Sequence, residues 1–300
     1  MRSLAGKSVL LCSVLILFTG LLAGCGSGRA GSGGSDSRIH IVAAEDFYGE
    51  VAKAVGGDYV HVTSIIHHAS VDPHDFEITP DVARKVDGAS VVLYNGVGYD
   101  GWMDELVESG SRDKKIIRVA EDILKKKNGD NEHVWYDPET MPKLADYLAS
   151  VLSDIDPDHA DVFKKNAQAY QQDIRPVRDL VHQLSEKTSG QRVDVSEPVF
   201  DYMLEALGYR ISNSHFKQAV EKGTDPSPQD ITKMRKDMEE KRIAFFVSNI
   251  QEMSPTVEKM VALAKRNDLP VVEVTETLPD GKDYKMWMLD ILKQVEKAQK

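Results

Sequence analysis

The chain has 300 residues and a mass of 33.3 kDa, which is long for one domain and typical of two. Charged residues make up 28% and hydrophobic residues 41%, which indicates a globular chain and excludes a disordered one. Acidic residues outnumber basic ones by 48 to 37, which argues against general nucleic-acid binding, and the two cysteines are too few for a disulfide scaffold or a cysteine-rich zinc module.

The first predicted element is a signal peptide over residues 1–24. Arg2 and Lys7 precede an apolar run of 15 residues, 9–23, which is shorter than the roughly 20 residues of a spanning helix. The end of this run, Leu22-Ala23-Gly24-Cys25, resembles the bacterial lipobox, in which cleavage leaves a cysteine that carries lipid; a plain signal peptide or a short membrane anchor is the alternative. Residues 25–38 are then a lipidated cysteine and a Gly/Ser tether. This pattern predicts a protein held outside the cell membrane by acylation of Cys25.

Strands and helices alternate through the next region, 39–156. The predicted strands there are 39–44, 59–66, 89–94 and 115–119, and a predicted helix over 45–55 follows the first of them. A highly charged, helix-favouring segment over 157–188 comes next. Pro176 lies inside it and is predicted to kink or split the helix, because proline lacks a backbone donor.

The alternation restarts in a second region, 189–300. Its predicted strands are 191–195, 209–212, 243–248 and 271–275. The last helix, 283–299, has an apolar stripe at helical spacing, formed by Met288, Ile291, Leu292 and Val295. Strands separated by helices predict an α/β fold, here two α/β lobes with mostly parallel sheets joined by a long connecting helix.

Two of the nine histidines stand out by their neighbours. His74 lies in VDPHDFE (71–77), just after a predicted strand, where open α/β sheets place their ligands. His133 lies in the aromatic loop EHVWYDP (132–138). Three nearby carboxylates could orient the first imidazole, namely Asp72, Asp75 and Glu77. A few residues earlier in the same loop lie His67 and His68. They are either ordinary polar residues of the loop or residues that capture metal at the mouth of a cleft.

Two glutamates complete a candidate set. Glu197 precedes Pro198, which suits a first helical position, so the positive end of the helix dipole is expected to keep its carboxylate ionised for cation binding. Glu276 follows the predicted strand 271–275, again at a sheet's carboxyl edge. Taken alone, either glutamate would be read as solvated surface.

The chain resembles the zinc and manganese substrate-binding lipoproteins of bacterial ABC importers in seven blocks that occur in the family's order. These blocks are DPHDFE (72–77), VVLYNGVGYDGWMDEL (91–106), EHVWYDP (132–138), DPDHADVFKKNAQAY (156–170), SEPVFDYMLEALGY (196–209), DPSPQDI (225–231) and VTETLPDGKDYKMWM (274–288). The resemblance covers nearly all of 39–300.

The resemblance implies one metal ion between the lobes, held by His74, His133, Glu197 and Glu276. The two histidines match the family's pattern. A glutamate at the third position is found in manganese receptors, whereas many zinc receptors have histidine there. The fourth position is usually aspartate, so Glu276 is a departure for which Asp280 or Asp283 could substitute.

The function implied is that of an extracytoplasmic solute-binding component of an ABC importer, with no enzyme activity. It would capture Zn(II) or Mn(II), with Fe(II) as a further option, and deliver it as a monomer to a permease driven by a cytoplasmic ATPase. A mixed nitrogen and oxygen site does not decide between zinc and manganese. The alternatives are a surface adhesin-type lipoprotein and a zinc-dependent hydrolase; no HExxH, GxSxG or P-loop motif is present.

Overall fold

The computed structural model describes residues 37–74, 76–111 and 113–300. The predicted signal peptide, Cys25 and nearly all of the Gly/Ser tether lie outside the described residues, as does Asp75. Among the helices that are described, none combines the length and apolar character needed to cross a membrane.

The first lobe is a four-stranded parallel sheet with helices on its faces. Its strands lie in the order β2-β1-β3-β4. The elements are β1 (Ile39–Glu45), α1 (Asp46–Gly56), β2 (Val60–Ile66), α2 (Pro80–Asp87), β3 (Val91–Tyr94), α3 (Gly101–Ser109), β4 (Lys115–Arg118) and α4 (Thr140–Ile155). The β3 run VVLY is buried throughout, as expected for a parallel strand covered on both faces.

The second lobe repeats this arrangement with the order β6-β5-β7-β8, again parallel throughout. Its elements are β5 (Arg192–Val195), α6 (Asp201–Ala206), β6 (Arg210–Ile211), α7 (Ser214–Glu221), α8 (Pro228–Glu239), β7 (Phe246–Asn249), α9 (Pro255–Arg266), β8 (Val271–Val274) and α10 (Tyr284–Ala298). All eight predicted strands are present, so the predicted fold class, two α/β lobes with parallel sheets, is confirmed.

A single helix, α5 (Ala160–Ser185), connects the two sheets and packs against α1 and α4 on one side and α10 on the other. The helix continues through Pro176, so the predicted split does not occur. Proline has no backbone N–H, so Pro176 cannot donate the helical hydrogen bond to the carbonyl of Gln172. Because Pro176 is exposed, that carbonyl can bond to water instead. Buried residues on either side, Ile174 and Val177, hold the helix against the core.

The two sheets share one hydrophobic core, because aromatic side chains cross between them. The ring of Trp287 on α10 lies 5.8 Å from that of Phe47 and 5.4 Å from that of Tyr136. The Tyr136 hydroxyl donates to the Thr275 carbonyl at 2.6 Å, and the Tyr284 hydroxyl donates to the Trp135 carbonyl at 2.8 Å. These contacts tie the carboxyl ends of both sheets to each other.

Candidate metal centre

A cleft of about 470 Å³ opens where the loops after β2, β5, β7 and β8 meet, and residues from both sheets line it. Parallel strands present their carboxyl ends at one edge, so loops from different strands converge there. The polar side chains of the lining are Ser70, Asp72, His74, Glu197, Glu221, Asn249, Gln251, Glu252, Glu276 and Thr277. Three of the four predicted ligands are therefore in one cleft, and the fourth, His133, lies buried beneath it.

His74 projects into the cleft from the loop after β2. Its backbone amide donates to Asp72 Oδ1 at 2.8 Å, a local turn that fixes the loop. The ring lies edge-on to Tyr99, with centroids 5.0 Å apart. Its Nε2 is 3.5 Å from Glu132 Oε1 and 3.7 Å from Glu276 Oε2. The imidazole thus faces two carboxylates on other loops. Asp72, which the sequence suggested as an acceptor for the ring, instead accepts from the His74 backbone.

His133 is fully buried and its ring is held by Asn131. The Asn131 Oδ1 accepts from the His133 backbone amide at 3.0 Å and lies 2.8 Å from the ring Nδ1. This acceptor fixes the proton on Nδ1 and leaves the Nε2 lone pair available, which is the arrangement that metal-binding histidines use. Nε2 is buried and has no hydrogen-bond partner among the residues that the structure describes.

Glu197 and Glu276 are joined through one amide. The Asn249 Nδ2 donates to Glu197 Oε2 and to Glu276 Oε1, at 2.8 Å in each case. Glu197 stands before the turn that Pro198 begins, as predicted, but its carboxylate makes no capping hydrogen bond. Asn249 at the end of β7 thus fixes the spacing between carboxylates that come from β5 and β8.

Carboxylates crowd the cleft, and their pKa values rise accordingly. Burial, followed by repulsion from Glu197, raises the pKa of Glu276 to about 8. Burial, followed by repulsion from Glu132, raises the pKa of Glu221 to about 9. Burial also raises the pKa of Glu197 to about 7, so desolvation outweighs the helix-dipole effect expected from the sequence. Such a cluster needs protons or a bound cation.

Burial has the opposite effect on the inner imidazole. It lowers the pKa of His133 to about 3, with repulsion from His74 and Lys217 adding to the shift. His133 is therefore neutral at physiological pH and competent to bind a metal. Proton competition near pH 6.5, the ordinary histidine value, does not apply to this residue. The raised pKa values of Glu197, Glu221 and Glu276 let protons compete with a cation at these carboxylates near neutral pH.

Four residues of this site were not singled out in the sequence. Glu132 and Glu221 bring two further carboxylates to the histidines, while Asn131 and Asn249 orient ligand side chains. Glu132 and Asn131 adjoin His133, and that proximity is a usable sequence signal. Glu221 ends α7 and carries no such signal, because only the packing of that helix brings it to the cleft.

The two substitutes considered for Glu276 are engaged elsewhere. Asp283 accepts from the Met286 amide at 2.7 Å and caps α10. Asp280 is exposed, accepts from the Ala69 amide at 3.4 Å and lies 3.9 Å from His68. Neither lines the cleft.

The loop that carries His74 is clasped to the second lobe at Ala69. The Ala69 carbonyl accepts from Gln251 Nε2 at 2.5 Å and from Thr277 Oγ1 at 3.1 Å. Gln251 Oε1 in turn accepts from the backbone amides of Glu276 and Thr277. One glutamine therefore connects the loop that presents His74 to the loop that presents Glu276.

The metal-free protein is expected to become less stable as pH rises from about 6.5 to about 9. In the folded state Glu276 and Glu221 keep their protons up to about pH 8 and 9, whereas unfolded carboxyls, with a pKa near 4.3, have already released theirs. Raising the pH through 8 and 9 removes the protons of the folded state, and the stability that they contributed is lost. His133 does not oppose the trend in this window, because it is neutral in both states above pH 6.5. A fall in melting temperature on the order of 5 °C is expected with chelator present.

Replacing Glu221 and Glu276 together by glutamine should flatten this dependence. The matched control is Glu205→Gln, an exposed glutamate outside the cleft, which should leave it unchanged. Added metal should raise the melting temperature more at pH 8.5 than at pH 6.5. A melting temperature that rises with pH in the chelated protein would contradict the prediction.

Two parallel-sheet lobes with a ligand cleft between their carboxyl edges define a two-lobed binding protein, and the cleft's imidazoles and carboxylates define its ligand as a cation. The family model described as zinc-uptake complex component A, periplasmic, matches residues 41–298, and the chain belongs to that family. The resemblance inferred from the seven sequence blocks is thereby confirmed.

Individual relatives agree with this assignment. The chain is 27% identical over 281 residues to the manganese-binding lipoprotein MntA of Halalkalibacterium halodurans, covering 92% of this chain and 90% of that protein. It is 24% identical over 280 residues to the manganese ABC transporter substrate-binding lipoprotein PsaA of Streptococcus pneumoniae, covering 87% of each. The periplasmic zinc-binding protein TroA from Treponema pallidum shares the fold, with a TM-score of 0.68, 17% identity and coverage of 87% of this chain and 99% of TroA.

Proposed function

We propose that this protein is the extracytoplasmic receptor of a metal ABC importer, which captures one divalent transition-metal ion and delivers it to a membrane permease driven by a cytoplasmic ATPase. The observation that carries the proposal is the convergence of two imidazoles and several carboxylates from both sheets on one cleft. His74 Nε2 and Glu276 Oε2 are 3.7 Å apart although their loops belong to different lobes. A cation between them would neutralise the crowded acids.

The proposed cargo ligands are His74, His133, Glu197 and Glu276, with Mn(II) or Zn(II) as cargo. The donors support this because neutral imidazole nitrogen suits both metals and carboxylate oxygen suits Mn(II) well. Relatives named as manganese-binding lipoproteins and as a zinc-binding protein support the same pair of metals.

The proposal extends to domain boundaries and attachment. The lobes would be 39–156 and 189–300, with 157–188 as the connector. Lipidation at Cys25 would hold a monomeric receptor at the outer face of the cell membrane, supported by the names of relatives described as lipoproteins. Catalysis is not part of the proposed role, because the family is one of uptake components and the crowded donors suit sequestration of the ion. Within the part of the chain that the structure describes, no specific contact favours the adhesin or hydrolase alternatives.

The test is a titration of the chelator-stripped mature protein with Mn(II) and with Zn(II), using a competing chelator and calorimetry. One ion per chain, a raised melting temperature and submicromolar affinity are expected for at least one of the two metals. A protein that binds neither metal and whose melting temperature does not move would refute the proposal.

A further inference from the structure

Two glutamates outside the proposed four-ligand set lie against the inner histidine. Ligand atoms of Glu132, His133 and Glu221 all lie within 4.8 Å of one another. Glu221 Oε1 is 4.0 Å from His133 Nε2, and Glu132 Oε1 is 3.5 Å from His74 Nε2. The His133 nitrogen at the centre of this group is fully buried and without a hydrogen-bond partner. A buried imidazole nitrogen whose lone pair faces two carboxylates has the surroundings of a metal ligand.

Placing an ionised Glu221 carboxylate at this position costs free energy unless a cation binds beside it. Its side chain is 23% exposed, and Glu132, Glu197, Glu276 and Asp201 all repel it. Among the residues that the structure describes, no lysine or arginine pairs with Glu221 or Glu132. Lys217, one turn earlier on α7, pairs with Asp201 instead. The helix thus presents Glu221 to the cleft while its own lysine is engaged elsewhere.

We infer that Glu132 and Glu221 are additional cargo ligands that raise the affinity of the cleft for Mn(II) relative to Zn(II). This inference rests on the proposed function. The four proposed ligands suffice for Zn(II), which prefers tetrahedral coordination. Adding Glu132 and Glu221 gives six donor residues, four of them carboxylates, and an oxygen-rich set of that number suits the octahedral preference of Mn(II). Removing one of the two added carboxylates should therefore lower the affinity for Mn(II) more than the affinity for Zn(II), because Zn(II) does not require that ligand.

The test compares Mn(II) and Zn(II) affinities of the mature protein with those of Glu221→Gln and Glu132→Gln. Glutamine keeps a neutral amide oxygen, which is a weaker donor than a carboxylate, so each variant weakens a ligand without removing it. Each is expected to bind Mn(II) about 10- to 100-fold more weakly, with Zn(II) affinity changed much less. The matched control is Glu205→Gln, which removes the same charge from an exposed residue outside the cleft. That control should alter neither affinity appreciably.

Glutamine has the shape of a protonated glutamate, so both variants should fold, and chelated Glu221→Gln should melt at or above the wild-type temperature. Manganese X-ray absorption on the wild type and on Glu221→Ala, which has no side-chain oxygen, gives a second readout, with one oxygen neighbour lost in the variant. Equal losses for Mn(II) and Zn(II), or no loss for either, would overturn the inference. Failure of the wild type to bind either metal would instead overturn the proposed function, so the two failures are distinguishable.

Discussion

His74→Ala is expected to weaken binding of both Mn(II) and Zn(II) by more than about 100-fold, since loss of a ligand should exceed the 10- to 100-fold cost of losing an outer-shell partner. The imidazole is 40% exposed and makes a single edge-on aromatic contact, with Tyr99, so its removal should leave the fold intact. Competition titration with a chromogenic chelator measures the loss, and the melting temperature of the chelated variant reports on folding.

The same loop supplies a matched control for this variant. His68 lies six positions earlier, and its side chain is 63% exposed, facing Asp280 outside the cleft lining. His68→Ala should leave equilibrium affinity nearly unchanged if His67 and His68 serve only loop polarity. An equal loss in both variants would move the site to the tip of the loop, and undiminished binding by His74→Ala would remove the role proposed for His74.

Lys217→Met is expected to lower the free energy of unfolding by about 3 kcal/mol at pH 7.5, because it leaves the Asp201 carboxylate buried without its partner. Burial raises the pKa of Asp201 to about 6 even with Lys217 in place, so the acid is ionised at this pH and depends on the lysine. Urea denaturation of the chelated protein measures the loss. Metal affinity should fall as well, since α7 carries Glu221.

Two comparisons isolate the buried pair as the cause. The double variant Lys217→Met with Asp201→Leu removes both charges and should recover most of the stability, as replacement of buried ion pairs by apolar groups commonly does. Lys85→Met breaks the exposed pair with Asp81 on α2 and should change stability little. A Lys217→Met protein as stable as the Lys85→Met protein would contradict the prediction.

The sequence predicted the framework well because the framework depends on local patterns. Apolar runs separated by helical segments located all eight strands, and the stripe at Met288, Ile291, Leu292 and Val295 is buried as expected. Pro176 does not split α5, because the effect of a proline depends on which way it faces: exposed to solvent, it is tolerated within a continuous helix.

The candidate site was predictable only in part, for a related reason. His74, Glu197 and Glu276 follow strands, and parallel topology brings such residues to the carboxyl edge of each sheet. That the two edges meet at one ion was implied by the family resemblance. Glu221 ends a helix that is held by the buried side chains of Phe216 and Val220 and by the pair between Lys217 and Asp201, and none of these contacts is visible in the sequence around Glu221. The direction of the pKa shift at Glu197 could not be predicted either. The shift follows from how deeply the carboxylate is buried and from the neighbouring acids, and a single sequence reveals neither.

The clasp at Ala69 is the weakest connection between the His74 loop and the second lobe, so it bears on how an ion would leave the cleft. The shared aromatic core leaves the two sheets little freedom to swing apart, whereas three hydrogen bonds hold the loop of Ala69 to the second lobe, through Gln251, Thr277 and Asp280. At about 1 kcal/mol each, their loss leaves the loop detached in on the order of one molecule in a hundred. Loop motions of this kind take nanoseconds to microseconds. A permease that competes for the Ala69 contacts would then hasten unloading without separating the lobes.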